Sequence, residues 1–167
     1  MSRPTPRRRR AAAAPAIAWA AALGSLLLDQ YSKHWVLGHL VEGRSVVVVP
    51  GLLDLRLVYN TGAAFSLLSR STNLLALVSA AVSALLIVSL IARPPQRLSQ
   101  ALAYGLLLGG AAGNGLDRWR VGAVVDFLAL VPVSFPVFNL ADVAINLAVV
   151  AFLWDLLLDR PAASSHD

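Results

Sequence analysis

Two aspartates in the C-terminal half of the sequence lie in apolar surroundings of different kinds. Asp126 lies in the run 124–127 (VVDF), where burial would favour a neutral, protonated carboxyl group. If Asn139 caps a helix that begins at Leu140, Asp142 falls in its first turn, where the helix dipole favours the ionised form. A protonated and an ionised carboxyl group together can carry out general acid–base hydrolysis. The two aspartates are therefore candidates for a catalytic pair that activates water against a peptide carbonyl.

Further polar residues recur at helical spacing beside long apolar stretches. Residues three, four or seven positions apart share one face of a helix. Three groups have this spacing: Asp29 with Lys33, Asn114 with Asp117 and Arg118, and Asn139 with Asp142 and Asn146. Ionisable groups at the edge of a membrane span are energetically costly, so they are candidates for a functional site.

Each of these groups also has a purely structural interpretation. Asp29 and Lys33 could be an ordinary interfacial ion pair. However, Lys33 is the only lysine beside 13 arginines, which suggests that this position needs an ammonium group. Asp117 and Arg118 could form a salt bridge that anchors a loop, and Asn139 could serve only as a helix cap. The residues alone leave these alternatives open.

Other catalytic chemistries lack their characteristic residues. The sequence has no cysteine, and its three histidines do not form an HExxH pair. It has no Gly-x-Ser-x-Gly nucleophile motif and no Walker or dinucleotide-binding fingerprint. These chemistries are therefore poorly supported by the residues. The glycine-rich segment 109–113 is instead typical of closely packed membrane helices.

The composition indicates that lipid is the main solvent of this chain. Hydrophobic residues make up 57% of the 167 positions and charged residues only 14%, whereas soluble domains carry about 25% charged residues. Four stretches approach the roughly 20 residues needed to cross a bilayer: about 11–29, 71–92, 98–116 and 140–159. The first is predicted to be retained rather than cleaved as a signal peptide, because its apolar run is long and three more spans follow.

The placement of arginine predicts the orientation of these spans. The cluster 7–10, the pair Arg93 and Arg97, and Arg160 would all lie on one side, which the positive-inside rule identifies as the cytoplasm. Both termini are then cytoplasmic, and the polar groups converge at the outer surface. The net charge of +5 resides in the N-terminal arginines, so no nucleic-acid partner is predicted. We divide the chain into a basic tail (1–10), one membrane-embedded domain (11–160) and a C-terminal tail (161–167).

The predicted outer segments, about 34–70 and 117–139, contain strand patterns. Residues 44–50 (RSVVVVP) form a β-branched run that ends at a Pro-Gly turn signal. Residues 53–59 (LDLRLVY) alternate apolar and polar side chains with the period of a half-buried strand. The valine-rich segment 122–130 could add a third strand. These patterns predict a small sheet resting on the membrane surface.

Five short motifs now give the chain a recognisable family resemblance. It resembles bacterial lipoprotein signal peptidase, also called signal peptidase II, from the first span to the fourth. The matching segments are 29–33 (DQYSK), 60–65 (NTGAAF), 109–118 (GGAAGNGLDR), 124–127 (VVDF) and 138–142 (FNLAD). One such motif would be weak, but five in order in a four-span chain of this length are highly specific.

The resemblance implies roles for particular residues. The family's catalytic aspartates fall on Asp126 and Asp142. Its other polar active-site positions fall on Asp29, Asn60, Asn114, Arg118 and Asn139. Lys33, Gly62 and Asp117 lie in the same motifs and complete the set of predicted supporting residues.

The resemblance also implies a fold and a substrate. The fold is an all-α membrane protein with four transmembrane helices, a small periplasmic β-cradle and a short surface helix, here near residues 63–70. The substrates are prolipoproteins whose lipobox cysteine already carries diacylglycerol, and cleavage occurs just before that cysteine without a metal or cofactor. The implied location is the bacterial inner membrane, surrounded by membrane lipid. A monomer suffices because one chain carries both aspartates.

Two other classes of protein could account for part of these features. Intramembrane polar residues can line the path of a transporter or channel, but here they cluster at one surface and leave the inner halves of the spans nearly free of charge. A non-catalytic membrane scaffold would explain the spans, but not two isolated carboxyl groups beside converging asparagines.

Overall fold

A computed structural model describes residues 6–62 and 72–158 of the chain. Four helices and three strands follow one another in it. They are α1 (Pro6–His39), β1 (Ser45–Val49), β2 (Leu53–Asn60), α2 (Thr72–Ala92), α3 (Leu98–Arg120), β3 (Val124–Leu130) and α4 (Leu140–Leu158). The predicted surface helix near residues 63–70 and the C-terminal tail lie outside the described residues.

Helix α1 is longer than the predicted first span at both ends. It begins at Pro6, inside the segment predicted as a basic tail, and continues to His39, inside the segment predicted to lie outside the spans. Between Asp29 and His39 no proline or run of turn residues stops the helix, and the chain turns only at Gly43, which has a positive φ of 81°. Asp29 and Lys33 therefore lie within a continuous helix rather than at its end.

Helices α2 and α4 turn large apolar side chains outward. Leu85 and Val88 on α2 are 67% and 61% exposed, and Phe152 on α4 is 61% exposed. Among the described residues, three segments are long and apolar enough to cross a membrane: Ala13–His39, Thr72–Ala92 and Leu140–Leu157. The predicted third span, 98–116, corresponds to α3, which is not among these three segments.

Helix α3 is the central helix of the bundle, since it packs against α1, α2 and α4. Its glycines allow this close packing, as the sequence predicted. A β-carbon on Gly109 would collide with Ser25 of α1, and one on Gly110 would lie 2.6 Å from the backbone oxygen of Ala141 on α4. At Gly113 a β-carbon would lie 2.5 Å from a carboxylate oxygen of Asp29. Small residues in α3 thus allow α1 and α4 to approach each other beside the predicted site.

The three predicted strands form one antiparallel sheet in the order β1-β2-β3. In the β2–β3 ladder Val58 lies opposite Asp126 and Asn60 lies opposite Val124. The last turns of α1 support the sheet from below, because Val36 packs into the same apolar cluster as Leu57 of β2 and Phe127 of β3. The prediction of a small sheet from 44–50, 53–59 and 122–130 is confirmed.

Candidate active site

Asp126 is held on β3 by two asparagine side chains. Its side chain is nearly inaccessible, with 2% of the residue exposed. Asn60, at the end of β2, donates from Nδ2 to Oδ2 of Asp126 at 2.9 Å, and Asn139 donates from Nδ2 to Oδ1 at 2.6 Å. The β2–β3 register accounts for the first of these contacts, since Asn60 and Asp126 lie on neighbouring strands two residues apart in register.

The Asp126 carboxyl group keeps its proton to a higher pH than an ordinary aspartate. Burial raises its pKa from 3.8 to about 6. The hydrogen bonds from Asn60 and Asn139 lower the pKa, and the nearby Asp142 charge raises it. The predicted preference of Asp126 for the protonated form therefore has a structural basis in its burial.

Asp142 lies in the first turn of α4 and forms a reciprocal cap with Asn139. Oδ1 of Asn139 accepts the backbone N–H of Asp142 at 2.9 Å, and the backbone N–H of Asn139 donates to Oδ2 of Asp142 at 3.2 Å. This exchange is the arrangement of a capping box. The prediction that Asn139 caps the fourth helix is confirmed, and the same residue also connects the two aspartates.

Asn114 on α3 completes this bridge from the other side. Its Nδ2 donates to Oδ1 of Asp142 at 2.8 Å, while its Oδ1 accepts from Nδ2 of Asn139 at 3.1 Å. The same Oδ1 also accepts from the ammonium of Lys33 at 3.0 Å. Two asparagines from different elements therefore hold the carboxyl groups of β3 and α4 in one hydrogen-bonded network.

A buried ion cluster lies behind the two asparagines. Nζ of Lys33 is 2.9 Å from Oδ2 of Asp29 and 2.7 Å from Oδ2 of Asp117, and all three side chains are at most 6% exposed. The predicted Asp29–Lys33 pair is confirmed, but it is buried rather than interfacial. Asp117 pairs with Lys33 across the α1–α3 contact, and not with its sequence neighbour Arg118.

Arg118 and Gly62 border the pair on the side of β2. Nη1 of Arg118 donates to the backbone oxygen of Asn114 at 3.2 Å, and Nη2 donates to that of Gly62 at 3.4 Å. The N–H of Gly62 in turn donates to Oδ1 of Asn60 at 3.0 Å, which orients the amide that faces Asp126. All ten predicted site residues therefore belong to one continuous network.

Gln30 also belongs to the network, although it was not among the predicted site residues. Its Nε2 lies 3.0 Å from Oδ1 of Asp117 and 3.2 Å from Oδ2 of Asp29. The signal was its place inside the segment 29–33. Asn146 lies further along α4, where it is exposed and donates to the backbone oxygen of Asp142 at 2.8 Å.

Both aspartates line a cavity of about 570 Å³, the size of a ligand site. Its polar lining includes Asn60, Arg118 and the two carboxyl groups at one end, and apart from Asn146 the remainder is bordered mainly by apolar side chains such as Phe135 and Leu147. In the described part of the chain no three histidine, aspartate or glutamate side chains are arranged to hold a metal ion. The cavity therefore presents a pair of carboxyl groups to a molecule that is largely apolar.

Comparison with known proteins gives consistent results. Residues 21–158 match the family described as signal peptidase (SPase) II. The lipoprotein signal peptidase of Synechococcus sp. (strain RCC307) is 54% identical over 140 residues, which is 83% of this chain and 93% of that protein. The lipoprotein signal peptidase of Parasynechococcus marenigrum (strain WH8102) is 49% identical over 138 residues, which is 83% of this chain and 87% of that protein.

Solved structures agree with the sequence comparison. A bacterial membrane enzyme determined by the in meso method at 2.3 Å resolution superimposes with a TM-score of 0.81 at 28% identity, covering 90% of this chain and 93% of that one. A second bacterial membrane enzyme, determined at 1.9 Å, gives a TM-score of 0.76 at 29% identity, covering 85% and 93%.

Proposed function

This chain belongs to the signal peptidase II family, and from that premise we propose that it is an aspartic endopeptidase with Asp126 and Asp142 as its catalytic pair. As a family member it is a protease that removes signal peptides from lipoprotein precursors. We propose that it cuts just before a cysteine that already carries diacylglycerol. The observation that carries the catalytic assignment is the pair of carboxyl groups, one with a raised pKa, at the polar end of an apolar cavity.

The two aspartates take different roles in this proposal. Asp142 acts as the base that removes a proton from water as its oxygen attacks the peptide carbonyl. Its place at the N-terminus of α4, where the helix dipole attracts negative charge, supports this role. Asp126, whose burial raises its pKa to about 6 and so favours the protonated form, donates its proton to the carbonyl oxygen. The tetrahedral intermediate then breaks its C–N bond as the proton held by Asp142 passes to the leaving amine. One hydroxyl group of the intermediate returns its proton to Asp126 as the new carboxyl group forms, which restores both aspartates.

The surrounding residues hold the pair and border the substrate. Asn60, Asn114 and Asn139 donate to carboxylate oxygens and so fix the orientation of both groups. Gly62 and Arg118 lie on the cavity wall, and Nε of Arg118 is the single buried side-chain nitrogen or oxygen without a hydrogen-bond partner among the described residues. We propose that Arg118 donates to a carbonyl oxygen of the bound precursor.

The membrane arrangement also forms part of the proposal. Helix α3 would also cross the membrane and bring the number of spans to four. Its 23 residues rise roughly 35 Å, and it is surrounded by the other helices. The Arg93–Arg97 turn, at the end of α2 opposite to the carboxyl pair, would face the cytoplasm. Both termini would then be cytoplasmic, and the active site would face the periplasm in the inner membrane. The protein would act as a monomer.

The proposed function is tested by comparing two forms of one precursor. Purified protein in lipid is incubated with a prolipoprotein that carries diacylglycerol on its lipobox cysteine, and with the same prolipoprotein without the lipid. We expect cleavage of the lipidated form alone, and mass spectrometry should place the cut directly before the cysteine. If the folded protein cuts neither form, the enzyme assignment fails and the scaffold alternative gains support.

The acid role of Asp126 predicts a pH dependence. Because the protonated form donates, we expect kcat/KM to fall about tenfold per unit as the pH rises above the pKa of about 6. In Asn60→Ala, the N–H that stabilises the ionised carboxylate is lost, so this limb should move to higher pH. The measurement is the pH profile of cleavage for both proteins, and a limb that stays in place would belong to another group.

The free energy of unfolding should also depend on pH through the carboxyl group of Asp126. The folded protein binds the Asp126 proton more tightly than the unfolded chain does. The resulting stabilisation is complete below the unfolded pKa of 3.8 and is lost as the pH rises through about 6.

A further inference from the structure

Lys33 contacts three polar side chains on two helices at once. Its ammonium, which has three N–H donors, lies within hydrogen-bond distance of three acceptors: Asp29 on α1, Asp117 on α3 and the side-chain oxygen of Asn114. It is 2% exposed and is absent from the residues that line the cavity. Lys33 therefore does not border the bound substrate, and its role must be exerted through its neighbours.

Both carboxylates paired with Lys33 hold a backbone amide next to a catalytic aspartate. Oδ2 of Asp117 accepts the N–H of Val125 at 3.1 Å, and Val125 directly precedes Asp126. Oδ1 of Asp29 accepts the N–H of Ala141 at 2.9 Å, and Ala141 directly precedes Asp142. The backbone of β3 and that of α4 are thus each attached, one residue before the reacting side chain, to a carboxylate that Lys33 binds.

The third contact determines which way the asparagine amides point. An ammonium only donates, so the oxygen of Asn114 must face Lys33 and its NH₂ must face Asp142. Asn139 also donates to that oxygen, and its second N–H reaches Asp126, which leaves its own oxygen to cap α4. The orientation of the Asn114 amide between Lys33 and Asp142 therefore follows from the ammonium of Lys33, and the Asn139 amide is oriented in the same sense by Asn114 and by the backbone N–H of Asp142.

We infer that Lys33 is a positioning residue that sets the distance and orientation between Asp126 and Asp142, acting through Asp117 on one and Asp29 on the other. The inference rests on the proposed function for its catalytic meaning. Its structural content can be measured separately: two backbone amides donate to two carboxylates, and both carboxylates pair with the ammonium of Lys33.

The geometry also explains why this position holds a lysine although the other 13 lysine or arginine positions of the chain are all arginine. The ammonium is compact, and its three donors diverge toward acceptors on separate sides. A planar guanidinium at the end of a longer side chain would overfill this site, because Gly113 already allows α3 to approach Asp29 closely. Lys33→Arg should therefore fail to restore what Lys33→Met removes, although it keeps the charge.

The test separates positioning from general stability. In Lys33→Met we expect kcat to fall about tenfold with KM within about twofold of wild type, because the cavity is intact while the carboxyl groups are misplaced. Hydrogen–deuterium exchange should quicken at the amides of Val125 and Ala141. The control is Gly105→Ala, where a β-carbon would collide with Ala18 of α1 away from the site. That variant should lose thermal stability but keep its kcat and the protection of both amides.

Two milder variants keep the inference testable if Lys33→Met does not fold. Asp117→Asn should quicken exchange at Val125 alone, and Asp29→Asn at Ala141 alone. If these variants lose stability with kcat unchanged, or if exchange quickens throughout the bundle, Lys33 is a general structural residue and the inference is overturned. If wild type cuts no lipidated precursor but the amide pattern appears, the proposed function fails and the attachment of both amides to Lys33 stands.

Discussion

Replacing either of the two proposed catalytic aspartates, Asp126 or Asp142, by asparagine is expected to lower kcat/KM for the lipidated precursor about a thousandfold or more. Asparagine has the size of aspartate, but it can neither accept a proton from water nor donate one to the carbonyl oxygen. Asp126→Asn removes the proposed acid and Asp142→Asn the proposed base, so both variants should be equally inactive. The measurement is the initial rate of cleavage in lipid, together with the thermal midpoint, which should remain close to that of wild type.

A matched control is available on the same sheet. Asp54 lies on β2, is half-buried and does not line the cavity, so Asp54→Asn should cut at the wild-type rate. Near-normal cleavage by Asp126→Asn or Asp142→Asn would show that the catalytic assignment is wrong, even if the wild type processes lipoprotein precursors.

The second large effect is expected at Asn139, which is completely buried between the two carboxyl groups. Asn139→Asp keeps the oxygen that caps α4, because aspartate is as good a cap as asparagine. It replaces the N–H donor, whose nitrogen lies 2.6 Å from Oδ1 of Asp126, with an oxygen of a third carboxylate group. Repulsion and the lost hydrogen bond should reduce kcat/KM about a hundredfold at neutral pH. Acidification should restore part of the activity, since a protonated carboxyl group can donate again.

A comparison of Asn139→Ala with Asn139→Asp separates the capping of α4 by Asn139 from its hydrogen bond to Asp126. Asn139→Ala removes both functions, so it should lower the thermal midpoint by more than Asn139→Asp does and should show no recovery of activity in acid. Equal activity of Asn139→Asp and wild type across the pH range would mean that the contact between Asn139 and Asp126 has no part in catalysis.

The sequence predicted most of the elements because their periodicities are strong. The alternation in 53–59 and the β-branched run of 44–50 identified two strands, and the apolar lengths identified the helices. The position of Asn139 directly before the apolar run that begins at Leu140 identified the helix cap, because capping depends only on neighbours in the chain. Helical spacing at the ends of three apolar stretches was also sufficient to predict that the polar groups converge.

Contacts between distant parts of the chain were harder to predict from the sequence. Asp117 and Arg118 are adjacent in sequence, but successive residues on a helix point in different directions. The ion pair of Asp117 with Lys33 depends on how α1 and α3 pack, and no local pattern records that packing. The extension of α1 to His39 was missed for a related reason: its last turns are stabilised by the sheet they support. Gln30 was missed because an uncharged side chain beside Asp29 carries no signal by itself.

The reciprocal cap between Asn139 and Asp142 also bears on how the protein is made. A ribosome delivers α1, β2, α3 and β3 before α4, so Asp126 and most of its supports exist before its counterpart does. The first turn of α4 contains Asp142, and Asn139 at its cap forms the bridge to Asp126, so folding of that turn and completion of the proposed catalytic pair are a single event. On the proposed mechanism, a partly synthesised chain in the membrane is unable to cut peptide bonds, and activity begins only when the last of these helices has been inserted.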